Sequence, residues 1–300
     1  MNLLNKKPNF FIIGAAKAGT TSLYDLLKQH PQVYLPFEKE PAFFCDEGYY
    51  KKGDEWYLNR YFSEVTKQTV WGEATSRYLF YAKKVAPRIK AFLQENQAKF
   101  IVILRDPAKL VYSLYWNSVR EGYEELPFDE ALNLERERKD LIEQNARIGV
   151  IRYSYSTAAA YGTQLMDFFK YFPKENFLFL FTDELKDQQL LFAKLQSFLL
   201  IDDYSDKIKY VQSNASALPK SRKLHNWLRS ESRIKDLIKP FVPYKIRHQI
   251  KMSVLEKNLV SYKAPELDEE TANSIRKLYM PETIKLQEIL QKDLITWLPK

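Results

Sequence analysis

Residues 10–23, Phe-Phe-Ile-Ile-Gly-Ala-Ala-Lys-Ala-Gly-Thr-Thr-Ser-Leu, pass from an apolar stretch through a glycine-bounded turn into a helical pattern. Phe10 to Ile13 has the unbroken apolar character of a strand buried on both faces. Gly14 to Gly19 permits a sharp turn, and the helical spacing from Thr20 runs to about Gln29, before His30-Pro31 stops it. A turn of this kind aims successive backbone N–H groups and an open helix N-terminus at one point, a cradle suited to an anion. The plainer alternative is a glycine turn that only joins strand to helix.

The same strand-turn-helix unit recurs outward from this stretch. Phe100 to Leu104 is a second continuous apolar run, it ends in Arg105-Asp106-Pro107, and a helix over 108–119 follows at once. Phe177 to Phe181 reads as a further buried strand, with a helix predicted around 157–171 before it and another near 188–199 after it. Val70 to Thr75 reads as a short strand ending in a polar turn, followed by a helix over 85–94. Continuous apolar strands alternating with helices predict an α/β fold, P-loop-like, with three α/β/α layers around a mainly parallel central sheet. Residues 213–222 lack a period and read as a loop, 223–262 as basic patches of helix, and 268–291 as one or two amphipathic helices. With no repeat, low-complexity tract or glycine-serine linker, residues 1–300 are expected to form one domain, with a charged segment at about 121–150 and a basic helical segment at about 223–262.

Composition narrows the chemistry. A hydrophobic content of 45% supports a sizeable core, and 46 basic against 38 acidic residues, a net charge of +8, favours an anionic ligand. There is no basic stripe and no recognisable nucleic-acid module, so no nucleic-acid partner is expected. The single cysteine, Cys45, rules out an internal disulfide framework, and three scattered histidines argue against a structural zinc site. No apolar run reaches the ~18 residues that span a bilayer, and the first residues lack a signal-peptide pattern. The expectation is a cytoplasmic protein without a transmembrane segment, whose apolar and basic C-terminal part allows peripheral membrane contact.

Three constellations carry the candidate chemistry. The spacing Gly14-x4-Gly19 followed by Thr20 and Thr21 is that of the nucleoside-triphosphatase loop, but Thr20 stands where that loop has its lysine, and Lys17 lies inside the turn instead. The second is Arg105, at the carboxyl end of a buried strand where open α/β sheets bind ligands, with Ser113 about two helical turns on. One anion could meet both; alternatively Arg105 pairs locally with Asp106 and Ser113 is a surface hydroxyl. A triphosphatase would need a metal-holding aspartate at that strand end, and an arginine there suits a ligand with an additional anionic group. The third is Glu38-Lys39-Glu40, set between Phe37 and Pro41 to Phe44: either a solvated turn, or a carboxylate placed to take a proton from an attacking hydroxyl. His30, His225 and His248 occupy no comparable place, and Cys45 reads as a core residue.

Taken together the chain resembles the sulfotransferases that use 3′-phosphoadenosine 5′-phosphosulfate (PAPS), in particular the bacterial and carbohydrate branch related to the heparan sulfate enzymes. The resemblance rests on Lys17-Ala18-Gly19-Thr20-Thr21-Ser22 and on Arg105-Asp106-Pro107 with Ser113. It extends through Lys39-Glu40-Pro41-x-Phe43-Phe44, Gly72-Glu73-Ala74-Thr75, Phe172-Pro173, Asp183-Glu184-Leu185, the loop with Asn214, Ser216, Pro219, Ser221 and Arg222, and Tyr279-Met280-Pro281-Glu282. It implies that residues 17–22 hold the 5′-phosphosulfate, that Arg105 and Ser113 take the 3′-phosphate, and that Lys220 and Arg222 close over the nucleotide. Glu40 would be the base and Lys17 the cation that stabilises the leaving phosphate, with PAP (3′,5′-adenosine bisphosphate) as product and no metal required. The acceptor would be a hydroxyl of a saccharide or glycolipid. Two positions depart from the family pattern: Ala42 stands where many relatives have histidine, and Ala74 where the heparan sulfate enzymes have lysine. The alternatives are a P-loop nucleotide kinase-like enzyme and a non-catalytic nucleotide-binding protein of the same fold.

Overall fold

The computed structural model describes residues 7–135, 138, 154–208, 217–221, 224, 227–228, 244–262 and 264–300. Strands β1 (Phe10–Gly14), β2 (Val33–Tyr34), β3 (Val70–Ala74), β4 (Lys99–Leu104) and β5 (Phe177–Phe181) form one sheet in the order β2-β3-β1-β4-β5, and every pairing in it is parallel. All five residues of β1 and of β3 are buried, as are Phe100–Leu104 of β4, so helices must cover both faces.

Among the described residues the α-helices are, in chain order, α1 (Thr20–Leu27), α2 (Glu47–Tyr50), α3 (Gly53–Phe62), α4 (Ala82–Leu93), α5 (Pro107–Arg120), α6 (Phe128–Asn133), α7 (Tyr155–Ala158), α8 (Tyr161–Phe169), α9 (Gln188–Leu199), α10 (Tyr244–Lys257) and α11 (Glu269–Leu290). The three-layer parallel α/β arrangement matches the expectation. Its helix ends follow local chemistry: Asp106 caps α5 through Ala108 N–H, Asp187 caps α9 through Leu190 N–H, and Asp268 caps α11 through Thr271 N–H.

The structure departs from the sequence reading over 157–171 and 213–222, and over 268–291 it takes the first of the two expected alternatives. The helix expected around 157–171 is two, α7 and α8, separated at Ala159–Ala160. Residues 268–291 form one helix, because Pro281 is accommodated inside α11 rather than ending it. Part of the loop expected over 213–222 is a strand, β6 (Ala217–Pro219), antiparallel to β7 (Leu259–Ser261) in a separate two-stranded sheet. Its partner lies some forty residues away, a long-range pairing that a local period cannot show. The charged segment from 121 is described through 135 and at 138, and of the basic segment at 223–262 only 224, 227–228 and 244–262 lie within the described residues.

The topology locates a crevice. From β1 the chain moves outward to β2 and β3 on one side, then returns past β1 to β4 and β5 on the other. The loops that follow β1 and β4 therefore diverge at a switch point, where parallel sheets bind ligands beyond the carboxyl ends of their strands.

Candidate active site

The loop after β1 is held by backbone geometry and by its neighbours. Lys17 has φ 64° and Gly19 φ 113°, both in the left-handed region. A Cβ on Gly19 would lie 2.3 Å from Leu185 Cδ1, so the Thr182–Lys186 turn packs where only glycine fits. From that turn Thr182 Oγ1 sits 2.8 Å from the Ala18 carbonyl and 3.2 Å from the Leu104 carbonyl, tying the loop after β1 to the end of β4. Helix α1 starts at Thr20 with Leu23 N–H bonding the Gly19 carbonyl at 3.1 Å, which leaves Thr20, Thr21 and Ser22 in its first turn. Unlike α5, α9 and α11, α1 has no capping side chain, and its first turn has no acidic residue. A helix start of this kind retains the positive end of its dipole for an anion.

Arg105 and Lys17 meet across the switch point. Arg105 Nη1 donates to the Lys17 carbonyl at 2.8 Å, and Tyr161 donates its hydroxyl to the Arg105 carbonyl at 3.1 Å. Arg105 does not pair locally with Asp106. The Asp106 carboxylate accepts from Ala108 N–H at 2.9 Å and from Arg276 Nη2 of α11 at 2.8 Å, which fixes the turn into α5. Helix α5 then presents Lys109, Ser113, Trp116, Asn117 and Arg120, spaced by three and four residues, along one stripe.

These side chains line a cleft of about 370 Å³ together with Lys17, Arg105, Tyr112, Tyr262 and the segment 264–267. Among the described residues its wall carries four cations, Lys17, Arg105, Lys109 and Arg120, and one carboxylate, Glu266. Lys17 Nζ donates to Asn117 Oδ1 at 3.3 Å, and Arg120 Nη2 donates to the same oxygen at 2.7 Å. Burial, then the charges of Arg120, Arg105 and Lys39, pull the Lys17 ammonium down to about 8. Burial lowers the pKa of Arg105 and of Arg120 as well. Cations crowded in a poorly solvated cleft repel one another, and an anion between them would relieve that cost. The indole Nε1 of Trp116 is buried without a hydrogen-bond partner in the same wall.

The Glu40 loop lies outside the residues that line this cleft and is held by the segment after β3. Glu40 and Ala42 both have positive φ, 55° and 56°. Glu40 Oε1 accepts from Ser76 Oγ at 2.5 Å, Ser76 N–H at 3.3 Å and Lys39 Nζ at 3.4 Å, while Arg77 Nε lies 3.4 Å from Oε2. Burial raises the Glu40 pKa, but Lys39, Arg77 and the two Ser76 hydrogen bonds outweigh it and hold the carboxylate below its ordinary value. Glu38 pairs instead with Arg60 at 2.8 Å. Lys39 acts through its charge on both Glu40 and Lys17, so the two candidate catalytic groups share one electrostatic neighbourhood.

Of the residues singled out in the sequence, the cleft brings together Lys17, Arg105 and Ser113. Ala18 to Ser22 run from the loop into α1, and Glu40 sits on the loop bonded to the segment after β3. Lys220 N–H bonds the Asn258 carbonyl at 2.7 Å, and its side chain does not line the cleft. Arg222, Asn214 and Ser216 lie outside the described residues. Ala42 and Ala74 are 3% and 1% exposed, so the two departures from the family pattern are core positions with no side chain to offer a ligand. Cys45 is buried, its thiol pushed up to about 12 chiefly by desolvation. Asn117 and Arg120 were missed by the sequence reading, although their spacing from Ser113, four and seven residues, puts them on its helix face.

Among the described residues no helix is long and apolar enough to cross a membrane, and no three His, Cys, Asp or Glu side chains gather as a metal-binding group. The chain is 37% identical to the membrane-associated sulfotransferase kil1 of Dictyostelium discoideum over 115 residues, 38% of this chain and 23% of that one. It is 30% identical to human heparan sulfate glucosamine 3-O-sulfotransferase 5 over 177 residues, 59% of this chain and 48% of that one. Human carbohydrate sulfotransferase 15 matches at 23% identity over 292 residues, 78% of this chain and 52% of the other. The chain thus spans about half or less of the length of these relatives. A crystal structure of a sulfotransferase from Alicyclobacillus acidocaldarius shares the fold, with a TM-score of 0.68 at 24% identity over 97% of this chain and 99% of that one. Residues 7–287 match the sequence profile of the sulfotransferase domain, and the chain belongs to that family.

Proposed function

We propose that this protein transfers the sulfuryl group of PAPS to a hydroxyl of a carbohydrate acceptor, a free saccharide or a glycolipid. The observation that carries the reading is the joining of two anion sites in one cleft: Lys17 after β1, and Arg105 with Ser113 after β4, linked by the Arg105 to Lys17 hydrogen bond of 2.8 Å. PAPS has a 5′-phosphosulfate and a 3′-phosphate on one ribose, so it needs two such sites a short distance apart. In this assignment Lys17 and the amides of Ala18 to Ser22 hold the 5′ group, and Arg105 and Ser113 hold the 3′-phosphate, the guanidinium by two parallel hydrogen bonds. Lys220 and Arg222 remain candidates for a segment that closes over the nucleotide.

The reaction is an in-line displacement. The acceptor oxygen bonds to sulfur as the bond from sulfur to the bridging phosphate oxygen breaks, and the acceptor proton passes to Glu40. Glu40 is ionised at neutral pH and hence weakly basic. It takes the proton as the forming O–S bond acidifies the acceptor hydroxyl. Negative charge gathers on the departing 5′-phosphate of PAP, where the Lys17 ammonium and the loop amides stabilise it. Support for a saccharide acceptor comes from the carbohydrate and heparan sulfate sulfotransferases among the relatives. The kinase-like alternative needs a free aspartate after β4, whereas Asp106 is already engaged by Ala108 N–H and Arg276.

The test is calorimetric titration with PAP, its 3′-dephosphorylated analogue and ATP·Mg, followed by incubation with 35S-labelled PAPS and a panel of glycans and glycolipids. Tight PAP binding that depends on the 3′-phosphate, with label transferred to a sugar, is expected; Glu40→Gln should keep PAP binding and lower turnover by about 10²- to 10⁴-fold. Preference for ATP·Mg would overturn the reading.

A further inference from the structure

We propose that Glu73 is a positioning residue, which through the hydroxyls of Thr75 and Tyr78 holds the backbone that carries Glu40. The inference rests on the reading of Glu40 as the base. Glu73 lies on β3, is fully buried, and takes no part in the transfer described above. Its carboxylate accepts three hydroxyls: Tyr57 at 2.5 Å, Thr75 Oγ1 at 2.7 Å and Tyr78 at 2.8 Å. Two of these hydroxyls accept in turn from the chain just after Glu40, Thr75 Oγ1 from Ala42 N–H at 3.2 Å and Tyr78 from Phe44 N–H at 3.3 Å.

A hydroxyl has one proton and two lone pairs. Because Glu73 takes the proton of each, the lone pairs of Thr75 and Tyr78 are left to face the Ala42 and Phe44 amides. A group that donated to these hydroxyls instead would leave their protons free to turn toward the same amides and repel them. The loop needs such support, since Glu40 and Ala42 both sit at positive φ, which persists in non-glycine residues only where surroundings impose it. The same segment holds the far end of Glu40 through Ser76 Oγ and N–H. Side chain and backbone of the proposed base are thus fixed by residues 73–78. Burial opposes the charge on Glu73, while the hydroxyls of Thr75, Tyr57 and Tyr78 favour the carboxylate form on which both relays depend.

The experiment compares Thr75→Val, Thr75→Ser and Glu73→Gln with the unaltered protein. Amide exchange at Ala42 and Phe44 is read by NMR, PAP affinity by calorimetry, and kcat and KM with PAPS and de-O-sulfated heparin. The expectation is exchange faster by about tenfold at residue 42 in Thr75→Val, and at 42 and 44 in Glu73→Gln. PAP affinity and donor KM should stay within about twofold while kcat falls about tenfold or more, with Thr75→Ser restoring both exchange and kcat. Unchanged exchange at 42 and 44 overturns the proposal, as does a parallel loss of PAP affinity and kcat, which marks general damage to the fold. If Glu73→Gln does not fold, the Thr75 pair decides. A Glu40→Gln control separates the two readings: full activity in that variant sinks the base assignment, whereas an inactive Glu40→Gln beside a fully active Thr75→Val sinks this proposal alone.

Discussion

Nucleotide binding should carry the titration of Lys17. Burial and the neighbouring cations lower its ammonium to about 8 from an ordinary 10.5 in the ligand-free protein. A phosphate between Lys17 and Arg105 adds opposite charge directly beside them, so binding should return the ammonium toward its ordinary value. The sign follows from linkage: between those two values the bound state holds a proton that the free state has lost, so affinity falls as pH rises. From pH 7 to pH 9.5 the PAP dissociation constant should rise about 30-fold, or about 2 kcal/mol. Calorimetry at pH 8.5 in two buffers of different ionisation enthalpy should register uptake of most of one proton on binding. Lys17→Arg cannot lose its charge in this range and should bind with a nearly flat profile. A flat profile in the unaltered protein, or an undiminished slope in Lys17→Arg, would refute the placement of Lys17 against the phosphate.

Other parts of the site have separate signatures. Arg105→Ala should weaken PAP by about 1–3 kcal/mol, the scale of a charge-assisted hydrogen bond, and should barely change affinity for the 3′-dephosphorylated analogue; equal losses for both nucleotides would remove Arg105 from the 3′-phosphate. Gly19→Ala combines φ 113° with a Cβ 2.3 Å from Leu185 Cδ1, so both PAP affinity and melting temperature should drop, and a silent substitution would contradict the tight packing of the loop. Arg276→Met strands the buried Asp106 carboxylate and should cost about 3–5 kcal/mol of stability by denaturant titration at neutral pH.

Much of the site was legible in the chain because its signals are local. The buried strands, the turn at 14–19 and the Arg-Asp-Pro stop are each written within a few residues, and parallel strands buried on both faces read as plain apolar runs. Asn117 and Arg120 were also within reach, since helical spacing from Ser113 predicts a shared face; what hid them was the absence of a reason to look beyond the serine. The partnership of Asp106 with Arg276 was not legible, because 170 residues separate the two and only the docking of α11 on α5 brings them together.

For Phe10 to Leu23, the sequence by itself determined that a strand passes through a glycine turn into a helix, with a lysine inside the turn. Which charges that lysine meets was decided by tertiary structure. The order β3-β1-β4 sets the loops after β1 and β4 side by side, so that Arg105 grips the Lys17 carbonyl and α5 brings Asn117 and Arg120 to its ammonium. The accumulated charge and burial lower the Lys17 pKa, and both depend on distances between residues far apart in the chain, which no local pattern encodes.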